Sequence, residues 1–272
     1  MNRNPVVAGS FYPGDSSVLT KQINNYLQNA NIKLEEEELL GVISPHAGYV
    51  YSGQCAAFSF KALQQKEFDT AVVIAPSHRF ADFDFSVGDY DEYLTPLGGV
   101  KVAKDIVNEL KNKYNMGTTY HASNIEHSLE VQLPFLQKIK PDAVIVPILL
   151  GKQSLENSEK LAAILAECFE EKLERTVFIV SSDLSHYYES DVATAMDNEL
   201  LKNFEDMDFN KMGSDFQLGK IEACGMGGIL TLMNLAKHFD YKGIENLDYR
   251  NSGDVSGDYK QVVGYLSSCV YK

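Results

Sequence analysis

Three of the six histidines in this 272-residue chain stand where apolar runs rich in β-branched residues give out. His46 follows such a run in "VISPHAGYVYSG", His78 closes "VVIAPSH", and His186 lies in "FIVSSDLSHYY", three residues after Asp183. Imidazole is the commonest protein ligand for transition metals, and a thiolate or carboxylate usually completes such a set. Cys224, in "GKIEACGMGGILTLMNLAKHF", is the candidate partner. It sits near the start of an apolar helical pattern, where free N–H groups favour a thiolate. It reads equally well as a small apolar residue at a tightly packed helix start, with Gly225, Gly227 and Gly228 allowing close approach to neighbours or to a ligand. Asp183 and His186 suit a carboxylate that orients an imidazole acting as acid or base, whereas the competing reading makes Asp183 the cap of a following helix. A single strand-end histidine is ordinarily a loop residue; three such tips facing one crevice make a shared site.

Hydrophobic periodicity gives the elements that must carry these residues. Strands are expected over residues 39–45, 71–77, 83–88, 143–150, 176–182 and 262–270. Most are apolar throughout, the pattern of central strands covered on both faces. Helices are expected over 16–29, 54–65, 100–114, 126–138, 154–172, 190–204 and 222–239. The alternation predicts an α/β fold, three-layer αβα with a largely parallel central sheet, in one domain spanning residues 1–272. Neither a Gly/Ser-rich or Pro-rich linker nor an internal repeat divides it. In open α/β sheets ligands bind at the carboxyl ends of the strands, which is where His46, His78, Asp183 and His186 fall. The segment "NIEHSLEVQLPFLQKI" reads first as an amphipathic helix with Leu129, Leu133, Leu136 and Ile139 on one face; the alternative points Glu126, His127 and Glu130 into the crevice. "NSGDVSGD" reads as a polar turn, and "KLEEEELL" (33–40) as a solvated approach to the first strand.

Composition narrows the function. With 38 acidic against 24 basic residues the formal net charge is −14, which works against phosphate backbones and anionic lipid. The longest apolar stretch, "AVIVPILL" (143–150), is far below the ~20 residues of a spanning helix. The opening residues lack the apolar segment of a secretory signal, so a cytoplasmic location is expected. Cys55, Cys168, Cys224 and Cys269 form no CxxC pair and read as free thiols. No GxSxG elbow, GxGxxG turn or Walker A loop is present, and Ser44, Ser77 and Ser182 carry no nucleophile signature.

In order along the chain stand "PVVAGSFYP" (5–13), "SPHAGYVYSG" (44–53), "PSH" (76–78), "EHSLEVQLPFL" (126–136), "SSDLSH" (181–186), "ACG" (223–225) and "NSGDVSGDY…VVGY" (251–265). This ordered set resembles the Memo family, called AmmeMemoRadiSam system protein B in bacteria and archaea, almost from end to end. The resemblance implies a fold like that of the protocatechuate-type extradiol dioxygenases, enzymes of non-haem iron. It also implies a pocket in which two histidines and a cysteine hold iron or copper rather than zinc. Motif by motif these ligands are His46, His78 and Cys224, with Asp183 and His186 bordering the pocket. Cysteine in place of the dioxygenase carboxylate favours copper(I) and argues against ring cleavage. As partners the resemblance implies a small-molecule or peptide ligand and a pathway shared with a radical-SAM protein and an AMMECR-type protein.

The leading expectation is a cytoplasmic metalloprotein with redox or oxygen-related chemistry, in which His186 is the acid/base and Asp183 orients it or a water. One rival is a non-catalytic peptide- or partner-binding protein using the same pocket, which 15 tyrosines suit. The other is a zinc-dependent hydrolase, which needs an open position on the metal.

Overall fold

The computed structural model describes residues 1–34 and 38–272. The acidic approach expected before the first strand overlaps residues 35–37, which lie outside the described residues. From the amino end come α1 (Ser16–Asn29), β1 (Leu39–Ser44), α2 (Tyr49–Leu63), β2 (Thr70–Pro76), β3 (Phe85–Val87), the hairpin β4 (Glu92–Thr95) and β5 (Gly98–Lys101), α3 (Lys104–Lys113) and α4 (Tyr120–Ser123). There follow α5 (Leu133–Ile139), β6 (Val144–Leu150), α6 (Leu155–Phe169), β7 (Thr176–Ser181), β8 (Asp183–Tyr188), α7 (Ser190–Glu205), α8 (Phe209–Gln217), α9 (Met226–His238), β9 (Gly243–Asn251), α10 (Gly253–Ser256) and β10 (Val262–Tyr271).

Strands β6, β2, β7 and β1 lie side by side and parallel. Antiparallel strands flank them, β3 on β6 and β10 on β1, while β8 and β9 pair with β10 to complete an eight-stranded sheet. The parallel character expected from the sequence therefore belongs to the centre of the sheet. β1, β2 and β7 are buried along their whole length, which is why they read as unbroken apolar runs. Two helix groups cover the sheet, α2 with α1 and α5, and α9 with α6 and α3, giving a three-layer α/β arrangement. One cluster of buried apolar side chains runs from Tyr12 to Val270. Among the described residues no helix is long and apolar enough to cross a membrane.

Several segments differ from expectation for local reasons. The helix expected from residue 100 starts at Lys104, because residues 98–101 pair with 92–95 across a turn at 96–97, and Gly98, which opens the second strand, has a φ of 119° that suits a residue without a Cβ. The segment 126–138 is not helical at its start. The Glu126 carboxylate accepts the N–H groups of His127 (2.9 Å) and Ser128 (3.0 Å), a local turn that competes with helix. A single 3-10 turn over Glu130–Gln132 then leads into α5, with Pro134 in its first turn. Asp183 opens β8 and caps no helix; α7 begins at Ser190. β9 and α8 have no counterpart among the expected elements. The polar turn of residues 251–258 carries the one-turn α10, closed by Gly257 at φ 73°.

Candidate functional site

β7 lies between β2 and β1 in the sheet. His46 therefore leaves β1 on one side of the β7 tip and His78 leaves β2 on the other, with ring centroids 5.1 Å apart. One ligand atom each from His46, His78 and Cys224 lies within 4.8 Å of the other two. The hydrogen-bond network assigns the tautomer of both imidazoles. Ser181 Oγ donates to the Ser128 carbonyl (2.7 Å) and accepts from Gln132 Nε2 (2.8 Å). Its proton is committed, so at 2.8 Å it accepts from His46, which carries its hydrogen on Nδ1. The lone pair of His46 is then on Nε2, 3.2 Å from Cys224 Sγ. His78 Nδ1 donates to Glu126 Oε1 at 2.8 Å and likewise keeps its lone pair on Nε2.

Cys224 is held at the corner between β7 and β8. Its N–H donates to the Asp183 carbonyl (3.1 Å), and the Asp183 N–H donates to its Sγ (3.2 Å). A Cβ on Gly225 would meet Ser182 Cβ at 2.7 Å and Oγ at 2.9 Å, so this approach requires glycine. That glycine serves packing rather than a ligand. Burial, with the Asp183 charge second, pushes the Cys224 thiol well above its ordinary value. The start of α9 does not by itself produce the thiolate suggested by the sequence; a cation in the cluster would. Burial, reinforced by the neighbouring His78 and His127, holds His46 well below its ordinary value, so the ring is neutral and its lone pair available.

Burial raises the Asp183 carboxyl, opposed by the His46 N–H that donates to Oδ1 at 2.8 Å and by the nearby His186. Asp183 thus fixes the backbone of His46, and its Oδ2 lies 4.0 Å from His46 Nε2. His186 is half-buried on the same rim, with Nδ1 3.3 Å from Glu222 Oε1. The carboxylate against that ring nitrogen is Glu222, a residue without an expected role. His46, His78, His127, His186, Asp183, Phe11 and Tyr187 line one cavity of about 360 Å³.

Two further residues belong to this site. His127 stacks on His78 (centroids 4.8 Å apart, planes at 24°) and stands edge-on to His46 at 5.6 Å. Its Nδ1 is 3.2 Å from the Glu126 oxygen that holds His78. Burial works against charge on Glu126, yet the hydrogen bonds from His127 and His78 keep its carboxyl well below the usual range. The alternative orientation of Glu126 and His127, toward the crevice, is the one adopted. Glu130 turns away. It pairs with Arg3 and accepts Val6 N (2.8 Å), Val7 N (3.1 Å) and the Tyr12 hydroxyl (2.5 Å), while Arg3 also donates to the Glu126 carbonyl. This anchorage brings Phe11 edge-on to His127 at 4.8 Å. Gln132 completes the frame by donating to the Pro45 carbonyl at 3.0 Å. The signal that points to this loop is the two-residue spacing of Glu126, Ser128, Glu130 and Gln132, all buried, which no helix face accommodates.

Comparison with known proteins agrees along the chain. The family model described as "Memo-like protein" matches residues 3–269. The chain is 38% identical to a MEMO1 family protein of Nitrosopumilus maritimus over 97% of this chain and 98% of that one. It is 36% identical to a MEMO1 family protein of Methanobrevibacter smithii over 98% and 99% of the two chains, and 35% identical to one of Thermotoga maritima over the full length of both. Matches of this extent leave no segment of the sheet or of the crevice outside the likeness, and the chain belongs to the Memo family.

Proposed function

We propose that His46, His78 and Cys224 hold one iron or copper ion, used for redox or oxygen-related chemistry on a small molecule in the crevice. One observation carries the reading: the Nδ1–H groups of both imidazoles are engaged by the protein, at Ser181 and at Glu126, leaving two lone-pair nitrogens beside a thiol. Donor atoms within 4.8 Å of one another need only draw in slightly to meet a single ion at roughly 2.0–2.3 Å from each. Two imidazoles with a thiolate suit iron, copper and zinc, and the soft sulfur favours copper(I). When bound, the ion supplies Lewis acidity and electron transfer to a ligand in its open position. His46 binds as a neutral ring, whereas Cys224 gives up its proton on binding, so occupancy rises with pH. His186, beside Glu222, is placed to move a proton to or from the ligand, and Asp183 keeps His46 in position. The histidine cluster at the ends of a parallel central sheet supports a fold like that of the protocatechuate-type extradiol dioxygenases, while the cysteine argues against ring cleavage.

The test is metal analysis by mass spectrometry after purification without chelators, and again after loading with Fe(II) or Cu(I). The wild type is expected to hold close to one ion per chain, and His46→Ala and Cys224→Ser to lose it. Zinc as the sole metal, with hydrolytic turnover, would replace this reading by the hydrolase. Equal, negligible metal in all three proteins after loading would end it.

A further inference from the structure

Among the described residues four non-glycine residues have positive φ: Asn115, Tyr187, Met207 and Asp240. Asn and Asp tolerate this region through local hydrogen bonds. Met207, at φ 52°, is half-buried and packed against the core, so burial offsets its strain. Tyr187, at φ 65°, has no such compensation and is 70% exposed. In the β8–β10 ladder Tyr188 faces Val262 and His186 faces Val263, so Tyr187 is an extra residue bulged out of the pairing. Glycine would form the same bulge without strain. The ring of Tyr187 stands 5.8 Å from that of His186 at 64°, on the rim of the histidine-lined cavity. A bulky aromatic residue in a left-handed bulge, exposed and at the mouth of a cavity, costs stability without adding to the core.

We infer that Tyr187 is a ligand-binding residue: its ring forms the outer wall of the crevice and takes the aromatic ring of a small polar ligand. The cavity of about 360 Å³ has room for a one-ring compound, Phe11 supplies a second aromatic surface, and the imidazoles and Asp183 meet the polar end. The inference does not depend on an ion in the site. Its test uses benzamide and cyclohexanecarboxamide, which share the amide and differ in the planarity of the ring, titrated by ligand-observed NMR into the protein as purified. The wild type and Tyr187→Phe are expected to favour benzamide by about two- to twelvefold, the range of an aromatic pair. Tyr187→Gly is expected to lose that preference while its Tm rises by about 1–4 °C as the strain is relieved. Three results overturn the inference: no preference in the wild type, an unchanged preference in Tyr187→Gly, or a fall in the Tm of Tyr187→Gly.

Discussion

Replacing Glu126 by Gln separates a metal-supporting carboxylate from a merely structural one. The buried carboxylate accepts from His78 N (2.7 Å), His78 Nδ1 (2.8 Å), His127 N (2.9 Å) and Ser128 N (3.0 Å). A glutamine with its oxygen in the Oε1 position keeps three of these bonds, but its NH₂ then faces the His78 N–H, donor against donor. The retained bonds also become neutral, each losing roughly 1 kcal/mol. Relief from burying a charge offsets part of this, and the net cost to folding is about 1–3 kcal/mol. Metal affinity falls further, because a neutral acceptor leaves the His78 ring less basic; loss of such a partner weakens binding by about 10–100-fold, or roughly 1.4–2.7 kcal/mol. His46 rests on a neutral hydroxyl, so Ser181→Ala is expected to cost less than Glu126→Gln.

Competition against a chromophoric chelator measures both affinities, and urea unfolding without metal shows that each variant is folded during the assay. Glu126→Gln within twofold of wild-type affinity would refute the argument, as would a larger loss in Ser181→Ala.

Two further outcomes follow from charges away from the crevice. Arg3→Met leaves the buried Glu130 carboxylate without its cation and is expected to cost about 3–5 kcal/mol in urea unfolding; a loss below about 1 kcal/mol would contradict the role given to this pair. Burial pushes Lys66 down to about 8 from its ordinary 10.5, although it donates to the carbonyls of Leu39 (2.7 Å) and Thr176 (2.9 Å). Folding therefore sheds this proton below the pH at which the unfolded chain does, and the stability of the wild type relative to Lys66→Met should rise by roughly 1–3 kcal/mol from pH 8 to 10.5; a difference that falls over that window would contradict it.

What was legible in the sequence follows the origin of each signal. Residues 71–77 announce a buried strand because both faces of β2 are covered, and α1 spans residues 16–29 as expected because Asp15 caps it and Leu19, Ile23 and Leu27 form one buried stripe. His46 and His78 were legible because each follows such a strand directly. The hairpin of β4 and β5 and the strand β9 were not, since β9 is half-exposed along nearly its whole length and owes its form to pairing with β10. Cys224 was legible as a residue type but not in its conformation, which Asp183, 41 residues earlier, imposes through two hydrogen bonds. The bulge at Tyr187 had no local signal at all, because tyrosine opposes the backbone angle it adopts.

The loop 126–132 shows why a helical reading put Glu126 and His127 second among the candidates for the site. Each alternate side chain binds a different part of the frame. Glu126 holds His78 beyond β2, and Ser128 Oγ donates to the Pro76 carbonyl at the end of the same strand (2.7 Å). Glu130 takes the N-terminal segment through Arg3, Val6 and Val7. Gln132 reaches Pro45 at the end of β1 and Ser181 at the end of β7. A shift of one residue would present His127, Leu129 and Val131 to these partners and leave buried carbonyls and N–H groups unpaired, at about 1–3 kcal/mol for each. The hydrogen bonds therefore set the register of the loop, and the loop in turn ties together the three strand tips that carry His46, His78 and Ser181. The separation of the two imidazoles is fixed by this crosspiece as much as by the sheet, so a change within it should alter the site before it alters the fold.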